Sequence, residues 1–294
     1  MRARFRRTSP SLTLLFLALC GELAPARARA QSGPPAATPK PAEMPDPDEV
    51  QAPSGPRPTL RATVASADAP LGIRIDGRLD EAAWATGDSI ANLITIEPDE
   101  GGTPAGRTVV RVLASKDEII FGFRCFEEPD GIVAFSKARD VELDEEDNVT
   151  IVLGTYGDRR SGYVFGVNPL GSRFEGLITA QGDDVNLSWN TVWEAATSRD
   201  ASGWSAEISI PIKSLSFTKG LEKWELNIER RVQRLQETSR WAGAKRDFEI
   251  FQQIQAGDLG GLPEFELGLG LTLRPALVSE ALRAEAGESR EYNT

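Results

Sequence analysis

The sequence predicts an all-β protein, an antiparallel β-sandwich with minor helical turns, preceded by a signal peptide and a disordered linker. Three observations predict it. Short runs rich in Val, Ile, Thr and aromatic residues recur from about residue 61 to 260. Clusters of Gly, Asp, Asn and Ser punctuate them at short spacing. Helical periodicity is weak outside 80–86 and 211–216. Many short strands with turn signals between them are the pattern of a sandwich, and about 200 residues suits one such domain.

The N-terminus reads as an export signal covering residues 1–30. Arg2, Arg4, Arg6 and Arg7 form a basic start, and Leu12 to Leu19 is apolar but too short to span a bilayer. Ala28-Arg29-Ala30 supplies a small-x-small cleavage site. A lipoprotein signal at Cys20 ranks second, because Leu19 is bulky where that signal wants a small residue. Residues 31–60 hold nine prolines and read as an extended tether.

The folded unit, 61–262, opens with Ile73 and Ile75 as a short strand, a turn at Asp76-Gly77, and a helical turn that drops Trp84 onto that strand. Asp80 is the expected N-cap. A hairpin follows, Val109 to Ser115 and Ile119 to Phe126 about Lys116-Asp117-Glu118. Further strands are expected at Val149 to Thr155, Tyr163 to Asn168, Phe174 to Ile178, Val192 to Thr197, Trp204 to Ile210 and Trp224 to Val232. In the run from Trp204, the apolar residues Ala206, Ile208 and Ile210 alternate with Ser205, Glu207 and Ser209, so one face is buried and one wet. In the 263–294 segment, Phe265, Leu267, Leu269, Leu271 and Leu273 alternate with small or polar residues. That is the look of a first strand of a lipid-facing barrel, or of an ordinary edge strand; the polar end from Ala281 looks frayed.

Composition excludes whole classes of function. The chain has no histidine, which removes His-based acid–base catalysis, His triads, imidazole zinc sites and His-ligated haem. Residues 1–30 carry six Arg and one Glu, so the formal charge of −11 becomes −16 without them. Such acidity argues against nucleic acid and anionic membranes as partners. Cys125 is then the one remaining cysteine and reads as a small core residue. Export without disulfides suits the periplasm or envelope of a bacterium.

Several segments together resemble the family 9 carbohydrate-binding modules and their DOMON-like sandwich relatives. They are Ile75-Asp76-Gly77-Arg78-Leu79-Asp80-Glu81 with Trp84, Arg159-Arg160-Ser161-Gly162-Tyr163 and Val167-Asn168-Pro169-Leu170-Gly171. Trp189 through Trp193-Glu194, Gly203-Trp204 with Glu207 and Ile210-Pro211, and Glu229-Arg230-Arg231 complete the set. More narrowly, they are similar to the N-terminal module of bacterial envelope proteins that carry a C-terminal outer-membrane barrel. The resemblance implies non-catalytic carbohydrate binding that serves polysaccharide capture or breakdown, with an outer-membrane barrel as partner. It also implies structural calcium.

In such modules a sugar's apolar face stacks on aromatic rings and its hydroxyls meet fixed polar groups. Trp189 lies in a polar stretch and is the first candidate platform, then Trp241 and Trp193. The polar candidates are Asn168, Arg173, Asn227, Glu229 and Arg231, the last three sharing one strand face at i, i+2, i+4. For calcium, Asp140, Asp144, Asp147 and Asp183 are the expected oxygen ligands, drawn from two acidic clusters without EF-hand spacing. Two rival functions stay open: a periplasmic adaptor or plug without sugar binding, and a glycoside hydrolase. A hydrolase needs two carboxylates across a cleft, and 44 acids do not single out a pair.

Overall fold

Period-two alternation decides which side chains face each other, and here it builds two packed sheets. The structure is a computed structural model describing residues 55–65 and 72–265. The leader, most of the tether and the alternating stretch after Phe265 lie outside the described residues. In chain order the strands are β1 Thr59–Arg61, β2 Thr63–Val64, β3 Ile94–Glu97, β4 Thr108–Ala114 and β5 Glu118–Phe126. Then come β6 Asn148–Gly154, β7 Gly162–Val167, β8 Arg173–Thr179, β9 Asp184–Asn186 and β10 Glu194–Asp200. The last four are β11 Gly203–Pro211, β12 Lys223–Val232, β13 Glu237–Arg240 and β14 Gly257–Gly260.

The larger sheet runs β1-β14-β12-β6-β7-β8-β9, with β13 on β12 and β3 on β13; the smaller runs β10-β11-β5-β4-β2. Most pairs are antiparallel. The short β1 and β2 instead run parallel to β14 and β4, so the sandwich is mixed at its edges. Both come from the end of the Pro-rich stretch, which lies along finished sheet edges rather than turning back in a hairpin.

Ile151, Phe165 and Ile228 from the larger sheet meet Phe121, Phe123 and Ile208 from the smaller one in a fully buried core. Each such side chain contributes about 1.5–3 kcal/mol by leaving water. A one-residue slip would turn all of them outward, so the register is strongly fixed. Cys125 is buried in this core, as expected, and burial pushes its thiol up to about 11.

The smaller sheet's outer face is covered by the opening segment. Ile73 and Ile75 are not in a strand; with Leu79 and Trp84 they pack on Leu113 and Ile120. Trp84 sits in a 3-10 turn, Ala82–Ala85, whose N-cap is Glu81 rather than Asp80. Gly122 makes room for it, since a Cβ there would meet the indole at 2.7 Å. Gly77 is required twice over: its φ is +86°, and a Cβ would lie 2.6 Å from the Thr197 Cα. With this face sealed, the larger sheet's outer face is the place to look for a site.

Candidate ligand-binding groove

Cross-strand partners share a face. The register Glu229↔Thr150, Arg231↔Asn148, Glu229↔Arg240 and Arg231↔Thr238 therefore assembles a polar floor on the outer face of β12, β6 and β13. Phe174 of β8 rises from the same face and lies over Gly166 of β7. Phe251, brought in by the segment before β14, lines the same cavity and, like Phe174, packs on the apolar cluster of Val152, Val164, Ile178 and Ile250. With Asn148, Thr150, Glu229, Arg231 and Thr238 the two rings line a cavity of about 290 Å³. It runs into a second cavity of about 360 Å³ through Leu143, Asp144, Phe174 and Phe251, and into a third of about 240 Å³ through Glu229 and Thr238. The three form one groove across the sheet.

The floor is held rigidly. Arg240 donates to Glu229 Oε2 through Nε at 2.8 Å and Nη2 at 2.6 Å. Glu229 Oε1 receives no hydrogen bond among the described residues. Burial raises the Glu229 carboxyl above its usual range even though Arg240 opposes it. Arg231 is spent on its neighbours: Nε on Gln233, Nη1 on Thr238 and Glu97, Nη2 on Gln236.

One rim is the strap 127–147 that joins β5 to β6. Asn168 fastens it. Its Nδ2 donates to Glu146 Oε2 at 2.8 Å and to the Ser136 carbonyl at 2.9 Å, while its Oδ1 accepts from Leu170 and Ser172 amides. Burial works to raise Glu146, but hydrogen bonds from Ser136, Phe135 and Asn168 outweigh it and hold its carboxyl low. A second buried node lies deeper. Arg230 Nη2 donates to Glu127 Oε2 at 3.0 Å, and its Nη1 caps the Gly106 and Arg107 carbonyls. Asp147 accepts from the Val133 and Gln233 amides. Leu143 and Asp144, which line the groove, are therefore carried on a strap anchored at both nodes.

Glu229 and Arg231 thus fall in one groove, as their strand spacing implied, but the other candidates do not join them. Asn168 and Asn227 are buried, the first in the strap and the second pinning both polar backbone groups of Ala242. Arg173 points toward the interior, with its guanidinium 5.2 Å from the Trp193 ring centroid. Trp193 is 2 % exposed and edge-on to Phe165. Trp241 is 6 % exposed and edges a separate cavity of about 560 Å³ beside Pro56 and Pro58. Trp189 is half-buried and leans on Tyr163 at 5.0 Å between ring centroids. None of the three tryptophans lines the groove. Large rings in polar stretches were expected at the surface; here the gap at the sandwich edge draws them in.

The expected calcium ligands also separate. Asp140 and Asp144 are exposed on the strap, Asp147 is buried with both oxygens taken by backbone amides, and Asp183 is exposed at the β8–β9 turn. Among the described residues no three His, Cys, Asp or Glu side chains form a group that could hold a metal ion. Sequence reasoning missed Phe174 and Phe251 as a pair. Phe174 was placed on its strand, but nothing local says that Phe251 comes to line the same cavity.

No family model matches the chain, and no curated protein matches it. Solved structures do. A Bacteroides uniformis protein, itself only proposed to bind carbohydrate, aligns over 69 % of this chain and 99 % of its own, with 13 % identity and a TM-score of 0.54. A family 9 carbohydrate-binding module from Caldicellulosiruptor kristjanssonii, solved with glucose, aligns over 72 % and 99 % at 12 % identity and a TM-score of 0.51. The same organism's family 9 module in complex with cellotriose covers 74 % of this chain and 100 % of its own, at 14 % identity and a TM-score of 0.50. The fold resembles that of family 9 carbohydrate-binding modules. At this identity the likeness fixes the family-9-like sandwich and leaves the ligand to be argued from the groove.

Proposed function

We propose that this protein is an exported, non-catalytic carbohydrate-binding module whose sugar site is the groove on the outer face of the larger sheet. The observation that carries it is that two half-buried rings, Phe174 and Phe251, line the same cavity as the fixed polar side chains of the sheet. A pyranose has apolar C–H faces and a belt of hydroxyls. Ring contacts of this kind contribute about 0.5–1.5 kcal/mol each, and each net hydrogen bond adds about 1 kcal/mol. Glu229, Thr150 and Thr238 line the same cavity and supply acceptors and hydroxyls for a sugar's hydroxyl groups. The two family 9 modules that share the fold were solved with glucose and cellotriose, which supports the same ligand class here. The leader-like N-terminus supports placement in a bacterial envelope.

The test is calorimetric titration of the full chain with a panel of neutral oligosaccharides, beside the Phe251→Ala variant. Expected is binding that weakens about ten-fold in the variant, matching the loss of one ring contact. Heat from no sugar would remove this reading, and release of new reducing ends would replace it with hydrolysis.

A further inference from the structure

The groove has open acceptors and committed donors. Its lining holds six carboxylates, Asp140, Glu142, Asp144, Glu97, Glu229 and Glu249, against three guanidiniums, Arg231, Arg240 and Arg246. Each guanidinium is engaged. Arg231 is bound by four side chains, Arg240 spans Glu229 and the Phe248 carbonyl, and Arg246 donates to the Ile96 and Pro98 carbonyls. The carboxylates of Glu142, Asp144 and Glu249 make no ion pair or hydrogen bond among the described residues, and one oxygen of Glu229 is open. A ligand entering here must bring N–H or O–H donors. An incoming anion meets an acidic wall with no spare cation to receive it.

We infer that the groove prefers glycans whose sugars carry a protonated free amine, glucosamine-type residues, over neutral glycans, and rejects uronate-bearing ones. This rests on the groove being the sugar site. Two further features select an ammonium on a sugar rather than a bare metal ion. No three acids among the described residues converge as metal ligands, so the negative potential is spread along the groove. Phe174 and Phe251 line the groove with apolar ring surface that a hydrated metal ion cannot use but a pyranose can. Spread carboxylates beside stacking rings match a chain that repeats one positive charge per sugar. An ammonium beside the exposed carboxylates of the rim and the partly buried Glu229 gains charge-assisted hydrogen bonds while keeping part of its hydration shell.

The experiment compares cellotriose, its tri-glucosamine counterpart and trigalacturonate by calorimetry with the full chain, at low ionic strength and a pH that keeps the amine charged. Expected is a preference of roughly ten-fold for the amino trisaccharide over cellotriose, fading with added salt, and no binding of the uronate. In the Glu142→Gln, Asp144→Asn double variant the amino-to-neutral affinity ratio should fall toward unity. Equal affinity for the amino and neutral sugars, a tighter uronate, or a ratio unchanged in the double variant overturns the inference while leaving the sugar reading intact. Failure of all three sugars to bind removes the sugar reading and the inference together.

Discussion

The indole N–H of Trp84 donates to Glu207 Oε1 at 2.9 Å, across 123 residues of chain. The other carboxylate oxygen accepts the Asp76 and Gly77 amides, each at 2.9 Å, and Glu207 is wholly buried. One side chain therefore ties the Ile75 to Trp84 segment to β11. A Glu207→Gln variant keeps the size but turns an N–H₂ toward donors. It is expected to lose about 3 kcal/mol, since at least one buried donor is left unmatched. The readout is a lower urea midpoint at unchanged slope; an unchanged midpoint would show that the segment is held by apolar packing alone.

Gly166 sets the position of Phe174. A Cβ at Gly166 would come within 2.5 Å of the Phe174 Cζ, so the ring must swing away in Gly166→Ala. Phe174 is half-buried and has somewhere to go. The expected outcome is a stability loss of about 1–2 kcal/mol together with a larger relative loss of sugar affinity. If affinity holds, Phe174 is not a stacking wall.

Asn168 makes four hydrogen bonds, and Asn168→Ala removes them all while leaving Glu146 buried beside an empty space. A loss of about 2–4 kcal/mol is expected. Amide hydrogen exchange should rise first in residues 132–147. Protection lost evenly over both sheets would contradict a local fastening role.

Burial, then the field of Asp147, raises the Glu127 carboxyl to about 7, and Asp147 is raised as well, also by burial. Asp147 accepts the Val133 and Gln233 amides, while Glu127 Oε1 is buried without a hydrogen-bond partner. Arg230 and Arg234 are the cations facing the pair. A carboxyl that holds its proton more tightly folded than unfolded favours the fold most below the ordinary carboxylate range. That advantage is lost as pH rises through the folded value. Stability is therefore expected to fall from about pH 5 to about pH 8, and Glu127→Gln, always neutral, should flatten the fall. Urea midpoints across that range provide the check. A rise with pH, or equal slopes in both proteins, would count against a proton held on Glu127.

Trp204 to Ile210 and Val149 to Thr155 were legible as strands, within a residue or two of β11 and β6, but the wet face expected of the first was wrong: Ser205, Glu207 and Ser209 are buried, the opening segment covering that side of the sheet. The short strands β1, β2, β3, β9, β13 and β14 left no local trace. Two to four residues carry no period, and their pairing is decided by edges made elsewhere. The groove was half legible. Glu229 and Arg231 share a strand face, so spacing joined them. Phe174 and Phe251 are 77 positions apart, and only the long-range course of the segment before β14 brings them to one cavity. The tryptophans misled for a related reason. Polar neighbours in sequence say little about an indole that fills the gap between two sheets, as Trp193 does against Phe165.

Asn168 closes the strap before any guest arrives. A mouth finished in advance has little ordering left to undergo, so association carries a small entropic penalty and needs no gate. Contacts then form and break at rates set by the contacts themselves. Such a rim suits brief, repeated holds along a polymer, with the module stepping from one stretch to the next, rather than a latch that shuts on a single end.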